Sequence, residues 1–354
     1  MARLRRADRF GPGISRIGAG KGFYYREPDG TKLTDEDTLQ RIRDLALPPA
    51  WKQVWICPDP LGHLQATGID AAGRTQYRYH DQWRRRRDRQ KFERMLEFAE
   101  ALPNLRSEID AQLREDEELT RDRVLAAAVR LIDLGCFRVG SDSYASENGT
   151  YGMATLEREH VRIEADERMV FDYVAKGGQQ RTQIVVDDAV MAVVKRLKRR
   201  RDDDPRLLAF RDEGGWHNLH SEDVNRFLEH HAGPCTAKDF RTWNATVLAA
   251  VGLAERAAEA VSRTAHQRAI RDTIGEVAEM LGNTPAVARS SYIDPRVIDR
   301  YDSGWTIAAC LLDVGGREAF DEIGRREPLD AAVRDLIRDE GEDSPALTDH
   351  PVVV

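Results

Sequence analysis

The hydrophobic period of this chain changes three times along its length, and that change limits the folds open to it. Over the first 80 residues the signals are those of strands and turns. Phe23 to Arg26 runs into Pro28-Asp29-Gly30, and Val54 to Cys57 runs into Pro58-Asp59-Pro60-Leu61-Gly62, a pattern that predicts a small sheet with hairpins. From Gly73 to His80 the residues alternate, so that Gln76, Arg78 and His80 face one way while Tyr77 and Tyr79 face the other. Then the period becomes helical. Phe92, Met95, Leu96 and Phe98 recur at helical spacing between Arg84 and Leu102, where Pro103 reads as the stop. The block Arg84 to Arg87 reads as a solvated helix start. Alternation returns between His160 and Val186, with a turn at Lys176-Gly177-Gly178-Gln179, predicting a three-stranded antiparallel insert in helical surroundings.

Boundary residues mark the remaining helices. Thr120 reads as the cap of a helix that Gly135 stops, with Cys136 to Ser141 as the connection that follows. Further helices are expected from Asp187 to about Arg200, from Ser221 to His231, and from the capping-box pattern Thr236-Ala237-Lys238-Asp239. A helix ending at Gly282-Asn283 is followed at once by one that Thr284-Pro285 opens and Pro295 closes after Tyr292. The fold class is therefore α+β: a small antiparallel β-rich N-terminal domain over residues 1–91, then a mainly α-helical domain over 92–340 carrying the β insert. Residues 341–354 form an acidic tail expected to be disordered.

Charge is unevenly spread. The whole chain of 354 residues carries a formal −7, yet residues 1–91 hold 19 basic and 11 acidic side chains, a net +8. An acidic total can thus hide a surface for a polyanion. The four cysteines are scattered with no CxxC pair, which fits a reducing compartment and core positions. No leader pattern and no apolar run of membrane-span length is seen, so an intracellular location without a membrane is expected.

Several side chains suit chemistry on a phosphate diester, whose nonbridging oxygens match the planar fork of arginine. Arg138 follows a helix stop, Arg241 lies in the first turns of the capped helix, and Asn283 sits in a Gly-Asn-Thr-Pro corner, each at an element end where groups converge. Lys176 stands beside a Gly-Gly tip that could act as a finger, and Tyr292 lies on a short helix between two prolines. Each has a plain reading in isolation. Most of the 46 arginines must be surface residues, a turn lysine is usually solvated, and Gln76, Tyr77 and Tyr79 could be sheet packing. His217, His220, His230, His231 and Cys235 match no standard zinc spacing, and neither a phosphate-binding P-loop nor a Rossmann glycine fingerprint occurs. No metal and no cofactor is expected.

Taken in order, the motifs Cys136-Phe137-Arg138-Val139-Gly140-Ser141, Val174-Ala175-Lys176-Gly177, Lys238-Asp239-Phe240-Arg241-Thr242 and Leu281-Gly282-Asn283-Thr284-Pro285 through Ser291-Tyr292 resemble the active-site series of type IB DNA topoisomerases. The likeness is to the poxvirus and bacterial branch of the tyrosine recombinase/topoisomerase superfamily, and the run PPAWKQVWICPDPLGHLQATGIDAAGRTQYRYH is similar to that branch's DNA-clamping domain. The resemblance implies Tyr292 as nucleophile, Arg138 and Arg241 as catalytic arginines, and Lys176 as general acid. Asn283 stands where the poxvirus enzymes place a histidine; it can donate an N–H but cannot titrate as an acid. Gln76, Tyr77, Tyr79, Tyr144 and Lys238 are implied DNA contacts. The partner implied is double-stranded DNA, held by a monomer acting as a C-shaped clamp, in the cytoplasm at the nucleoid. A tyrosine recombinase or integrase would share the covalent chemistry, but it typically shows His-x-x-Arg where this chain has Lys-Asp-Phe-Arg. A non-catalytic DNA-binding protein would leave the order of Lys176, Arg241 and Tyr292 unexplained.

Overall fold

A computed structural model describes residues 3–20, 22–115, 118–165, 167–338 and 347–349. The chain forms two compact units, residues 1–93 and 94–354. The first holds β1 (Ile14–Ala19), β2 (Gly22–Arg26), α1 (Glu36–Asp44), β3 (Lys52–Ile56), β4 (Leu64–Ile69) and β5 (Thr75–Tyr79). The strands make one antiparallel sheet in the order β2-β1-β3-β4-β5. Its core gathers Ile14, Leu33, Ile42, Val54, Ile56 and Ala66; burying each of the larger side chains is worth about 1.5–3 kcal/mol. Asp35 caps α1, accepting from the Thr38 N–H at 2.8 Å.

On β5 the alternation is as read but the face is inverted relative to hydrophobicity. Gln76 and Arg78 are half-buried while Tyr77 and Tyr79 are exposed, stacked on one another with centroids 6.1 Å apart.

The second unit is mainly helical. A long helix, α2 (Asp81–Glu115), enters it from the first unit and is followed by α3 (Arg121–Gly135) and α4 (Asp142–Asn148). The insert is a sheet of β6 (Val161–Ile163), β7 (Met169–Ala175) and β8 (Gln179–Val185) in that order, antiparallel as expected. Next come α5 (Asp188–Lys198), a hairpin of β9 (Ala209–Asp212) and β10 (Gly215–Asn218), α6 (Ser221–Ala232), α7 (Ala237–Ala257), α8 (Arg263–Leu281), α9 (Pro285–Ser291) and α10 (Pro295–Asp302). β11 (Trp305–Thr306), α11 (Ala308–Asp313), α12 (Arg326–Arg338) and β12 (Thr348–Asp349) complete it. Most of the acidic tail lies outside the described residues; Thr348 and Asp349 pair with Thr306 and Trp305.

Helix α7 is the axis of this unit. It opens with the capping box, the Thr236 N–H donating to Asp239 Oδ2 at 2.8 Å, and 17 of its 21 residues are buried. A helix apolar on nearly all sides must be enclosed, and α3, α8, α10, α11 and α12 pack around it. Buried charges tie these helices together. Asp133 on α3 accepts from Arg106 Nε at 2.8 Å and from Arg326 Nη1 at 2.8 Å, while Asp330 accepts from Arg106 and from Trp243 Nε1, the latter at 2.7 Å. Burial pushes the Asp133 carboxyl up, but the two guanidinium charges outweigh it and hold it below its usual range.

Two boundaries differ from the sequence reading, and a third holds with a different residue in the turn. Pro103 does not stop α2, which runs on to Glu115. Proline leaves the carbonyl four residues back without a partner; here that carbonyl, on Ala99, accepts from Arg334 Nη1 at 3.0 Å, and Leu102, Leu105, Ile109 and Leu113 are buried beyond it. Helix α3 ends at Gly135 as read, and the left-handed residue that follows it is Cys136 (φ 53°). Gly135 is glycine because the Phe137 ring lies where its Cβ would be. Pro295 does not close the helix of Tyr292; that helix ends at Ser291, and Pro295 is the first residue of α10, capped by Asp294.

Candidate active site

The site is built around the C-terminal end of α8. Gly282 takes the left-handed conformation (φ 60°), its N–H donates to Glu279 O at 3.0 Å, and the Asn283 N–H donates to Ala278 O at 2.9 Å. This double closure is a Schellman turn, and it leaves the last carbonyls of the helix pointing outward for other donors. Three arginines from three elements take them. Arg181 on β8 donates to Glu279 O at 2.7 Å and Met280 O at 2.6 Å. Arg241 on α7 donates to Leu281 O at 2.8 Å and to Cys136 O, and Arg138 donates to Gly282 O at 3.1 Å.

Carbonyls and the negative end of the helix dipole orient these cations without neutralising them. Among the described residues none of the three is paired with a carboxylate. The positive charge of Arg241 and Arg138, the two that act on Tyr292, is therefore left for an anion to use. Burial first, and then the neighbouring Arg241, lower the Arg138 pKa from its ordinary value, as crowding of like charges requires.

Arg138 is held from behind as well. Its backbone carbonyl accepts from the Met153 N–H at 2.8 Å, and that of Val139 accepts from Ala154 at 2.7 Å, so the segment after α3 is fixed between this turn and α8. The side chain of Arg138 also donates to Asn283 Oδ1 at 2.8 Å. That bond turns the Asn283 amide so that its Nδ2 is buried with no partner among the described residues. A buried donor without an acceptor costs about 1–3 kcal/mol, and such a group beside unneutralised arginines suits an anion oxygen.

Tyr292 caps the end of α9, whose start is fixed by Thr284 accepting from the Val287 N–H at 3.3 Å and by Pro285 at the first helical position. Its ring centroid is 5.4 Å from Arg241 Cζ, and Thr246 Oγ1 lies 3.3 Å from its backbone carbonyl while accepting from the Asp294 N–H at 3.1 Å. Half-burial pushes the phenol up, but the charge and hydrogen bond of Arg241, with Lys238 and Arg138 behind it, bring it below its usual value of 10.0. The site thus favours negative charge on the tyrosine oxygen.

Arg138, Arg241, Asn283 and Tyr292 are brought together, with exposed Lys238 on the first turn of α7 contributing charge. Lys176 is placed otherwise. It is exposed at the β7–β8 tip, with Nζ 5.9 Å from the ring centroid of Tyr144 on α4, which is itself half exposed. On the first unit, Gln76 Nε2 donates to Asp70 Oδ2 at 2.9 Å, and the Tyr77–Tyr79 pair is extended by Arg9, whose Nη1 donates to Tyr77 Oη at 2.8 Å and whose guanidinium lies over Phe10. Arg9 and Arg181 were not distinguishable from the other arginines in the sequence.

Residues 80–306 match the family model described as the catalytic core of eukaryotic DNA topoisomerase I, close to two thirds of the chain. The chain belongs to the type IB DNA topoisomerase family. Residues 22–70 of this topoisomerase match, in addition, the N-terminal domain of bacterial DNA topoisomerase IB. It is 27% identical over 334 residues to DNA topoisomerase 1B of Acanthamoeba polyphaga mimivirus, covering 92% of this chain and 94% of that one. With DNA topoisomerase 1B of Vaccinia virus (strain Copenhagen) the identity is 22% over 320 residues, covering 86% and 95%. DNA topoisomerase 1 of Schizosaccharomyces pombe matches over 160 residues at 27%, covering 45% of this chain and only 19% of its own length. The topoisomerase is accordingly an isomerase, and none of its described helices is long and apolar enough to cross a membrane.

Proposed function

We propose that this topoisomerase relaxes supercoiled duplex DNA of either sign, without ATP or divalent metal, by transient cleavage of one strand at Tyr292. The observation that supports this most directly is the convergence of Arg138, Arg241 and the unpartnered Asn283 Nδ2 beside a tyrosine whose phenol is lowered. Tyr292 Oη attacks phosphorus as the P–O5′ bond breaks; the phenol proton goes to solvent and the departing 5′ oxygen takes a proton from Lys176. A 3′-phosphotyrosyl link and a free 5′-hydroxyl result. Negative charge that builds on the nonbridging oxygens meets Arg138, Arg241 and Asn283, donors already in place before the reaction begins. The free strand then turns, and the 5′-hydroxyl attacks back, giving its proton to Lys176 as the P–O bond to Tyr292 breaks and the released phenolate takes a proton from solvent. Bond energy is kept in the covalent link, so relaxation needs no nucleotide.

DNA enters as a duplex gripped by both units as a clamp. Gln76, Tyr77 and Tyr79 on the first, with Tyr144 and Lys238 on the second, are the contacts assigned to it. One copy carries every assigned group, so a monomer suffices, working at the nucleoid. The test is incubation with negatively and positively supercoiled plasmid in EDTA without ATP. Stepwise relaxation of both, with no recombined product, is expected; an absolute need for metal or nucleotide refutes the proposal.

A further inference from the structure

We propose that Arg181 is a positioning residue that locks the β7–β8 hairpin, and with it Lys176, to the end of α8. The inference rests on the reading of Lys176 as the acid that protonates the 5′ oxygen. Arg181 lies on β8 opposite Tyr173, two residues inside the last hairpin pair, Ala175 with Gln179. The strand rise puts its Cα about 7 Å from the end of the ladder. Side chains at 181 and 183 share one face of β8. Gln183 Nε2 donates to Gly135 O at the end of α3, which anchors the base of the hairpin. Nearer the tip the anchor is Arg181, whose fork spans two successive carbonyls, Glu279 O at 2.7 Å and Met280 O at 2.6 Å.

A second observation shows that this contact is built rather than incidental. A Cβ placed on Gly282 would lie 3.2 Å from Arg181 Cζ, Nε and Nη1, so the turn at the end of α8 packs directly against the guanidinium. Beyond Arg181 the hairpin turns through Gly177 and Gly178, both at positive φ, and Lys176 at the tip is exposed. The same helix end seats Arg241 and Arg138 and leads into Asn283. Arg181 therefore ties the strand that leads to the acid to the element that organises the charge-stabilising groups, and it does so with a planar pair of donors that lysine cannot reproduce.

The experiment is single-turnover cleavage by full-length enzyme on two duplexes, one with an ordinary scissile phosphate and one with a 5′-bridging sulfur, whose thiolate leaves without a proton. Arg181→Ala is expected to slow cleavage of the ordinary duplex roughly tenfold to 10²-fold, a partial loss that reaches at most the lower end of the roughly 10²–10⁴-fold a positioned acid supplies. It should regain much of that loss on the sulfur duplex, as Lys176→Ala does, with noncovalent DNA affinity unchanged. Arg181→Lys keeps the charge but cannot span both carbonyls, so it should show the same substrate pattern at smaller amplitude; it also carries the test if the alanine variant does not fold. Equal loss on both substrates, or full activity in Arg181→Ala or Arg181→Lys, overturns the proposal. If Lys176→Ala is itself not rescued, the acid assignment falls and Arg181 falls with it. If Lys176→Ala is rescued and the Arg181 variants are not, only the positioning role fails.

Discussion

Replacing Asn283 by alanine separates the energetics of the site from those of the fold. In the free protein the amide makes one good bond, Oδ1 accepting from Arg138 at 2.8 Å, and leaves Nδ2 buried without a partner. Losing a hydrogen bond to a charged donor costs about 1.5–3 kcal/mol, while removing the orphaned donor returns about 1–3 kcal/mol. Arg138 keeps its bond to Gly282 O at 3.1 Å. The two contributions nearly cancel, so the stability of the Asn283→Ala protein should lie within about 1 kcal/mol of the parent, measured by urea denaturation. Cleavage behaves differently. One neutral donor to a developing oxyanion is worth about 10²-fold in rate, roughly 2.7 kcal/mol, and single-turnover cleavage in EDTA should slow by about that factor. Arg138→Ala and Arg241→Ala should lose more, because their bonds to the phosphate are charge-assisted. Asn283→His should retain activity, since imidazole can donate to the same oxygen. A loss under threefold, or one matching the arginine variants, would refute the assignment of Nδ2 to the phosphate.

Tyr292→Phe should abolish the covalent adduct while leaving noncovalent binding intact; an adduct mapped to another tyrosine overturns the site. The difference in phenolate absorbance between the parent and this variant should titrate below pH 10, and Arg241→Ala should raise that midpoint because burial then acts with less opposition. An unmoved midpoint would show that Arg241 does not set the tyrosine's acidity. Asp133→Ala removes the buried carboxylate paired with Arg326 and leaves Arg106 with Asp330 alone, and should cost about 3–5 kcal/mol of stability. In the parent, the contribution of Asp133 is present above its unfolded pKa of about 3.8 and lost as acid titrates it below that value; an alanine variant with the parental urea midpoint would contradict this. Substituting Gln76, Tyr77 and Tyr79 together by alanine should weaken DNA binding or the assembly that precedes cleavage; unchanged affinity and relaxation would return them to sheet packing.

Signals carried by neighbouring residues were legible without coordinates. The alternation of Thr75 to Tyr79, the Gly177-Gly178 tip, the Thr236–Asp239 box and the Thr284-Pro285 start are each decided within a few residues, where backbone sterics and local hydrogen bonds leave few choices. The order of the motifs around Arg138, Lys176, Arg241 and Tyr292 was readable in the same way, as a pattern along the chain. The α+β class follows from the periods alone.

What the chain could not show by itself lies in partners far apart in sequence. Pro103 ends a helix unless something supplies its missing donor, and the supplier, Arg334, is 231 positions away in number and adjacent only in space. Cys136, not a glycine, takes the left-handed turn, and Phe137 covers Gly135 just before it. Arg181 is one arginine among 46 until α8 presents its carbonyls to it. Arg138 and Asn283 meet across 145 positions. Local sequence could determine where helices start and hairpins turn, since those depend on short-range sterics. Which arginines face a helix end, and therefore keep their charge for an anion, depends on long-range packing and was decided only by the tertiary structure.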